Sequence, residues 1–197
     1  ARTVALTGTY ERTSTLLFQK PLAWGIGAEV LATDERNRIV DGVARPRQTY
    51  FVAALPLYGQ IDTTDDLLNP TRGFRLGGRL SPELSFQDTT FGYAKVQVDG
   101  SVYQPVGERV VMAARARFGT ILGSTVDQIA PSRRFYAGGG ASVRGYGYQA
   151  IGPRYGEDDD PVGGKSLAEF SLEGRIRFGN FGVVPFVDAG NISTSFL

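Results

Sequence analysis

From Ser166 to Phe178 the chain alternates so strictly that few folds can hold it. Leu167, Glu169, Ser171, Glu173, Arg175 and Arg177 take one parity, and Ala168, Phe170, Leu172, Gly174, Ile176 and Phe178 take the other. Successive side chains of a strand point to opposite faces. One face of this strand therefore carries four charges and the other none. A helix would mix the two sets, so the segment is a two-sided wall.

The same reading recurs upstream. Over 109–119, Arg109, Arg115 and Arg117 share a face with Val111 and Ala113, opposite Val110, Met112, Ala114, Ala116 and Phe118. Over 94–103, Lys95, Gln97, Asp99, Ser101 and Tyr103 oppose Ala94, Val96, Val98, Gly100 and Val102. Over 74–81, Arg75, Gly77, Arg79 and Ser81 oppose Phe74, Leu76, Gly78 and Leu80. Less regular strands are expected over 49–61 and 23–34, one or two more within 2–20, and a last one over 181–190. The expectation is an all-β chain of about nine strands, each close to the ~9–11 residues that cross a bilayer at a steep tilt. The 26 glycines, 12 phenylalanines and 9 tyrosines agree, because aromatics favour pleated surfaces and glycine supplies tight turns. No apolar run reaches the ~18 residues of a membrane helix.

A soluble antiparallel sandwich also alternates polar and apolar residues. Two features favour a membrane wall instead. The apolar faces hold many small residues (Ala94, Gly100, Ala114, Ala116, Ala168, Gly174), which suit lipid better than interdigitation with a second sheet. The polar faces are densely charged, as a wet lumen requires. Connections 104–108 and 179–180 are short, whereas 121–165 and 36–47 are long and fall at the opposite end, the asymmetry of outer-membrane barrels. Residues 62–70 are long for the short-turn end, and Gln87-Asp88-Thr89 is short for its own. About nine strands do not close a barrel, and an open edge in hydrocarbon is costly. The chain is therefore expected to be a fragment, and Ala1 is not expected to be the native start.

Composition narrows the function further. A net charge of +1 with dispersed basic residues offers no nucleic-acid footprint. With no histidine and no cysteine, imidazole catalysis and thiolate chemistry are excluded. No catalytic residue, metal or cofactor is expected. The run Glu157-Asp158-Asp159-Asp160 lacks calcium-loop spacing and reads as a solvated loop tip. Gly138-Gly139-Gly140 lacks the Lys-Ser/Thr of a phosphate loop. Trp24, Tyr50, Tyr58 and Tyr93 are candidates for interfacial anchors or ordinary strand aromatics. Asn69-Pro70-Thr71-Arg72-Gly73 reads as a turn, with Asp65 and Asp66 nearby.

Four segments, in order, carry a family resemblance: Asn69-Pro70-Thr71-Arg72-Gly73-Phe74; Arg134-Phe135-Tyr136-Ala137-Gly138-Gly139-Gly140-Ala141-Ser142-Val143-Arg144-Gly145-Tyr146; Gly163-Gly164-Lys165-Ser166-Leu167 with Ser171-Leu172-Glu173; and Phe186-Val187-Asp188-Ala189-Gly190. Together they resemble the outer-membrane assembly barrels of the BamA/TamA (bacterial surface antigen) superfamily. The second segment is similar to the loop-six motif of that family. Phe135-Tyr136-Ala137-Gly138-Gly139 with Tyr146-Gly147-Tyr148-Gln149 looks nearer to the TamA branch than to the BamA branch.

The resemblance implies a partial C-terminal barrel domain over 1–197, with the loop-six insertion at about 122–165. The whole barrel would have 16 strands and follow periplasmic transport-associated domains, neither complete here. The implied function is to help insert or translocate autotransporters and other outer-membrane proteins in the outer membrane of a Gram-negative bacterium. Its partners would be the lipid bilayer, client β-barrel or autotransporter polypeptides, and an inner-membrane-anchored TamB-like protein. The alternative is a two-partner-secretion-type export pore of the same superfamily; an outer-membrane hydrolase is the third class. The motif residues would be Gly138, Gly139, Gly140, Val143, Arg144, Gly145 and Tyr146. Arg144 is expected to reach into the lumen and pair with Asp188 and Glu173, and the glycines to allow positive φ and close approach to the wall.

Overall fold

The structure is a computed structural model that describes residues 1–17, 20–38, 44–86, 89–156 and 159–195. Its strands in chain order are β1 (Arg2–Leu17), β2 (Lys20–Arg38), β3 (Ala44–Ala54), β4 (Leu57–Asp62), β5 (Gly73–Phe86), β6 (Thr90–Pro105) and β7 (Val110–Leu122). A long insertion follows, with two single 3-10 turns (Val126–Gln128 and Pro131–Arg133) and a small hairpin of β8 (Arg154–Tyr155) and β9 (Asp160–Pro161). The chain then returns to the sheet as β10 (Ser166–Phe178), β11 (Phe181–Val183) and β12 (Phe186–Ser193). No described helix is long and apolar enough to cross a membrane.

Every neighbouring pair in the main sheet is antiparallel and follows chain order. β3 and β4 lie end to end between β2 and β5, and β11 and β12 lie end to end beside β10. The described wall thus has eight passages rather than about nine, because 2–17 forms one strand. Proline explains both interruptions. Pro56 and Pro185 have no N–H to donate, so the ladder breaks there. Their carbonyls still accept, from Gly27 N at 2.7 Å and Gly174 N at 3.0 Å, and pairing resumes beyond.

The register sorts the faces. Phe170, Ala116 and Gly100 are successive cross-strand partners, as are Ser171, Arg115 and Ser101. The first set lies on the outer face, where Phe170, Leu172, Val98, Val102 and Met112 are all exposed. Phe170 is 50% accessible, so no second sheet among the described residues covers it and the sandwich alternative does not hold. Its ring packs edge-on against Phe118 at 5.2 Å. β10 has 13 residues, and at ~3.3 Å each it is about 43 Å long. Tilted by ~45°, such a strand covers the ~30 Å of a hydrocarbon layer.

The core lies on the other face, between the wall and the insertion. Ile129, Phe135 and Ala137 from the insertion pack with Tyr93, Ile121, Leu167 and Ile192 from four wall strands. Ala130 joins Leu31, Tyr50 and Val52. For three of the four aromatics the ordinary-strand alternative holds over the membrane-anchor one: Tyr50 and Tyr93 are buried inside, and Tyr58, the register partner of Gly25 and Arg79, has its ring over Gly25 on the same face. Trp24 belongs to the outer face, beside Tyr10 at 5.9 Å.

Connections differ from expectation in one place. Residues 36–38 and 44–47 of the expected loop 36–47 are strand, because Arg36 pairs with Arg47 and Arg38 with Ala44, while 39–43 fall outside the described residues. Gln87 and Asp88 of the expected turn fall outside the described residues, as do Glu157 and Asp158 of the acidic run. Asp159, which is described, is tied to Arg154 at 2.9 Å. The 63–72 connection is built by carboxylates. Asp65 accepts from Thr71 N, Arg72 N and the Thr71 hydroxyl, and Asp66 from Leu68 N and Asn69 N. Those hydrogen bonds, from the Thr71 hydroxyl foremost, hold the Asp65 carboxyl well below the ordinary carboxylate range.

Candidate functional site

The site is assembled from two wall strands and the tip of the insertion. On the inner face, Asp188 of β12 is the register partner of Ser171 of β10, and Glu173 stands one inner position further along β10. Strand alternation alone aims these three side chains inward. The insertion brings Arg144 onto them. Its Nε and Nη2 donate to the two oxygens of Asp188 at 2.7 and 2.8 Å, the planar fork matching the planar carboxylate. Nη1 donates to Glu173 Oε2 at 2.9 Å, and Nη2 also reaches Ser171 Oγ at 2.9 Å. The Arg144 backbone N–H adds a third bond to Asp188, at 2.9 Å. The guanidinium lies 3.8 Å from the centre of the Phe186 ring, within cation-π range. Asp188 is almost sealed from solvent, at 2% side-chain accessibility, whereas Arg144 keeps 26%. These bonds, with those to Asp188 leading, hold the guanidinium proton more tightly than usual.

Glu173 is shared. Arg175 donates to its other oxygen from Nε at 2.7 Å and reaches the carbonyl of Pro70 at 3.2 Å. A chain of charge thus runs from the insertion tip through Glu173 to the 63–72 turn.

Backbone geometry lets the tip approach this closely. Gly138 has φ +109°, and a Cβ there would meet the Gly147 carbonyl oxygen at 2.6 Å. Val143 is buried against Gly190 of β12, where a Cβ would sit 2.6 Å from Val143 Cγ2. Gly139 and Gly145 also take positive φ, but Gly140 does not, which corrects the expectation for the whole glycine run. Tyr146 is more than half exposed.

Several contributors escaped the sequence reading. Arg115 of β7 holds the tip by its backbone, donating to the carbonyls of Ala141 and Ser142 at 2.9 and 2.6 Å. Glu169 of β10 accepts from the Ser142 hydroxyl and from Arg117 Nη1, the latter at 3.2 Å. Ser142 Oγ in turn accepts from Gly138 N at 2.9 Å. Parity had placed Arg115, Arg117 and Glu169 on the charged face; nothing in the sequence paired them with Ser142 or the tip carbonyls. The arrangement offers a docked strap across a polar wall.

Comparison with known proteins places this geometry. Residues 8–195 match the Omp85 superfamily domain. Over 134 residues the chain is 32% identical to the outer membrane protein assembly factor BamA of Nitratidesulfovibrio vulgaris, covering 66% of this chain and 17% of that protein. The crystal structure of BamA from Haemophilus ducreyi lacking POTRA domains 1-3 is similar in fold, with a TM-score of 0.71 at 19% identity, covering 96% of this chain and 41% of that one. The chain thus spans less than half the length of these relatives. The matched domain, the uncovered apolar face and the docked insertion together show that this chain belongs to the Omp85 superfamily and forms part of an outer-membrane β-barrel wall.

Proposed function

We propose that this wall belongs to an outer-membrane assembly factor that helps insert client β-barrel proteins, with the insertion serving as a lumenal strap that keeps the wall in its working shape. The observation that supports it is the Arg144 fork on Asp188 and Glu173. Such a strap needs no covalent chemistry. A wall of this kind would act by thinning the bilayer nearby and offering a strand edge for client pairing. Within that class, the branch that serves autotransporters, with a TamB-like partner, draws support from the Phe135-Tyr136-Ala137-Gly138-Gly139 run.

The test uses the full-length protein in phospholipid vesicles, with and without Arg144→Ala, and measures the insertion rate of a urea-denatured client barrel. Slower insertion with an intact wall is the expected result, and a wild-type rate refutes it. A polypeptide export pore of the same superfamily is the second reading. It draws on the insertion's coverage of the inner face, where it meets β2, β3, β5, β6, β7, β10 and β12. Conductance that rises on deletion of the insertion, with client insertion unchanged, would favour the pore.

A further inference from the structure

The insertion meets the wall at a second charged site, eleven residues before Arg144 and on other strands. Its root is the 3-10 turn Pro131–Arg133. There Arg133 spreads its fork over two strands: Nε and Nη2 donate to the two oxygens of Glu83 on β5 at 2.8 and 2.5 Å, and Nη1 donates to Glu29 on β2 at 3.1 Å. The Glu83 side chain is fully buried. The adjacent Ser132 N–H donates to Glu35 of β2 at 2.9 Å, and Thr33 steadies the other Glu35 oxygen at 2.7 Å. From β6, Lys95 Nζ donates to the Arg133 carbonyl at 2.8 Å and stands 4.4 Å from the Phe135 ring centre. A buried carboxylate is stable only when its charge is met, and Arg133 is the cation that meets Glu83.

We infer that Arg133 is a positioning residue, a second anchor that fastens the root of the insertion to β2 and β5 while Arg144 fastens the tip to β10 and β12. The two arginines then work as the ends of one tie across the inner face. The separation between the β2 and β12 flanks is set through the insertion as well as through the sheet. This goes beyond the proposed insertase role and does not depend on which client the barrel serves.

The test again uses the full-length protein in vesicles, with two readouts. Hydrogen exchange reports the amides of 132–135, since Pro131 has no N–H. Spin labels at the outward, exposed positions Val30 and Val187 report the spread of the flank-to-flank distance. Arg133→Gln is expected to speed root exchange by about tenfold or more, the equivalent of one charge-assisted hydrogen bond, and to broaden the distance distribution. Arg144→Ala should broaden the same distribution from the other end. The exchanged pair Arg133→Glu with Glu83→Arg should restore much of both, which a purely apolar root could not do.

Root exchange within about twofold of wild type in Arg133→Gln, or an unchanged distance distribution, overturns the inference. Broadening that the exchanged pair does not restore also overturns it, because general loosening would then be the cause. If Arg133→Gln does not assemble, Glu29→Gln decides: it leaves the Glu83 fork in place, and faster root exchange supports the anchor while unchanged exchange overturns it.

Discussion

Replacing Arg144 with alanine is the most direct perturbation of the docked insertion, and its size can be worked from the site. The change removes two N–H donors from Asp188, leaving the Arg144 backbone N–H as the remaining donor from the insertion. Because that carboxylate is almost sealed, the loss approaches the ~3–5 kcal/mol seen when one partner of a buried ion pair is removed. Two features reduce it. Arg144 is itself a quarter exposed, so solvent already screens its charge. Glu173 keeps Arg175 and is not orphaned. The balance is about 2–3 kcal/mol, roughly 30- to 150-fold in the docked population. A double-mutant cycle with Asp188→Ala in the full-length barrel, read by hydrogen exchange of residues 138–146, isolates the pair. Coupling below about 0.5 kcal/mol would mean a solvated, dispensable arginine and refute the reasoning.

Three further outcomes follow from the geometry. Gly190→Ala puts a methyl into Val143 and should destabilise docking by about 1–3 kcal/mol; adding Val143→Ala should recover part of that in a thermal melt, and no recovery would mean that the clash lies elsewhere. Gly73→Ala forces a side chain into φ +104° with its Cβ 2.3 Å from the Thr63 carbonyl oxygen, so the backbone conformation alone costs about 1–3 kcal/mol; an unchanged refolding yield and melting profile would contradict it. The Asp65 carboxyl has a lower pKa in the folded turn than in the unfolded chain, so its contribution is complete above the unfolded value near ~3.9 and fades as pH falls toward the folded one. Thr71 and Arg72 amide protection, corrected for intrinsic exchange, should match at pH 7 and pH 5 and weaken only in strong acid, whereas Asp65→Asn should weaken it at every pH. A midpoint above pH 5 would contradict that assignment.

The wall was legible because alternation is a local property. Ser166 to Phe178 needs no partner to declare its two faces, and the structure pairs it as that pattern requires. Parity also places Tyr93, which alternates in step with Lys95 and therefore faces inward. The two breaks were harder, since Pro56 and Pro185 end local pairing without ending the passage across the wall. The Arg144 site came from resemblance, because nothing local links an arginine to an aspartate 44 positions away. The Arg133 site carried no such cue. Its partners lie 50 and 104 positions upstream, and each looked like one more charge on a wet face. Charge on a lumenal face identifies candidates for pairing, and only the folded path of the insertion selects among them.

Arg115 holds Ala141 and Ser142 by their carbonyl oxygens and takes nothing from their side chains. Such a grip measures chain length and ignores chemical identity. Ala141 can therefore change to other modest residues without loosening it, whereas adding or deleting one residue between Gly138 and Arg144 would throw the carbonyls out of phase with the guanidinium. At Ala141 the tip is free to vary in spelling, while the whole segment is bound to keep its count.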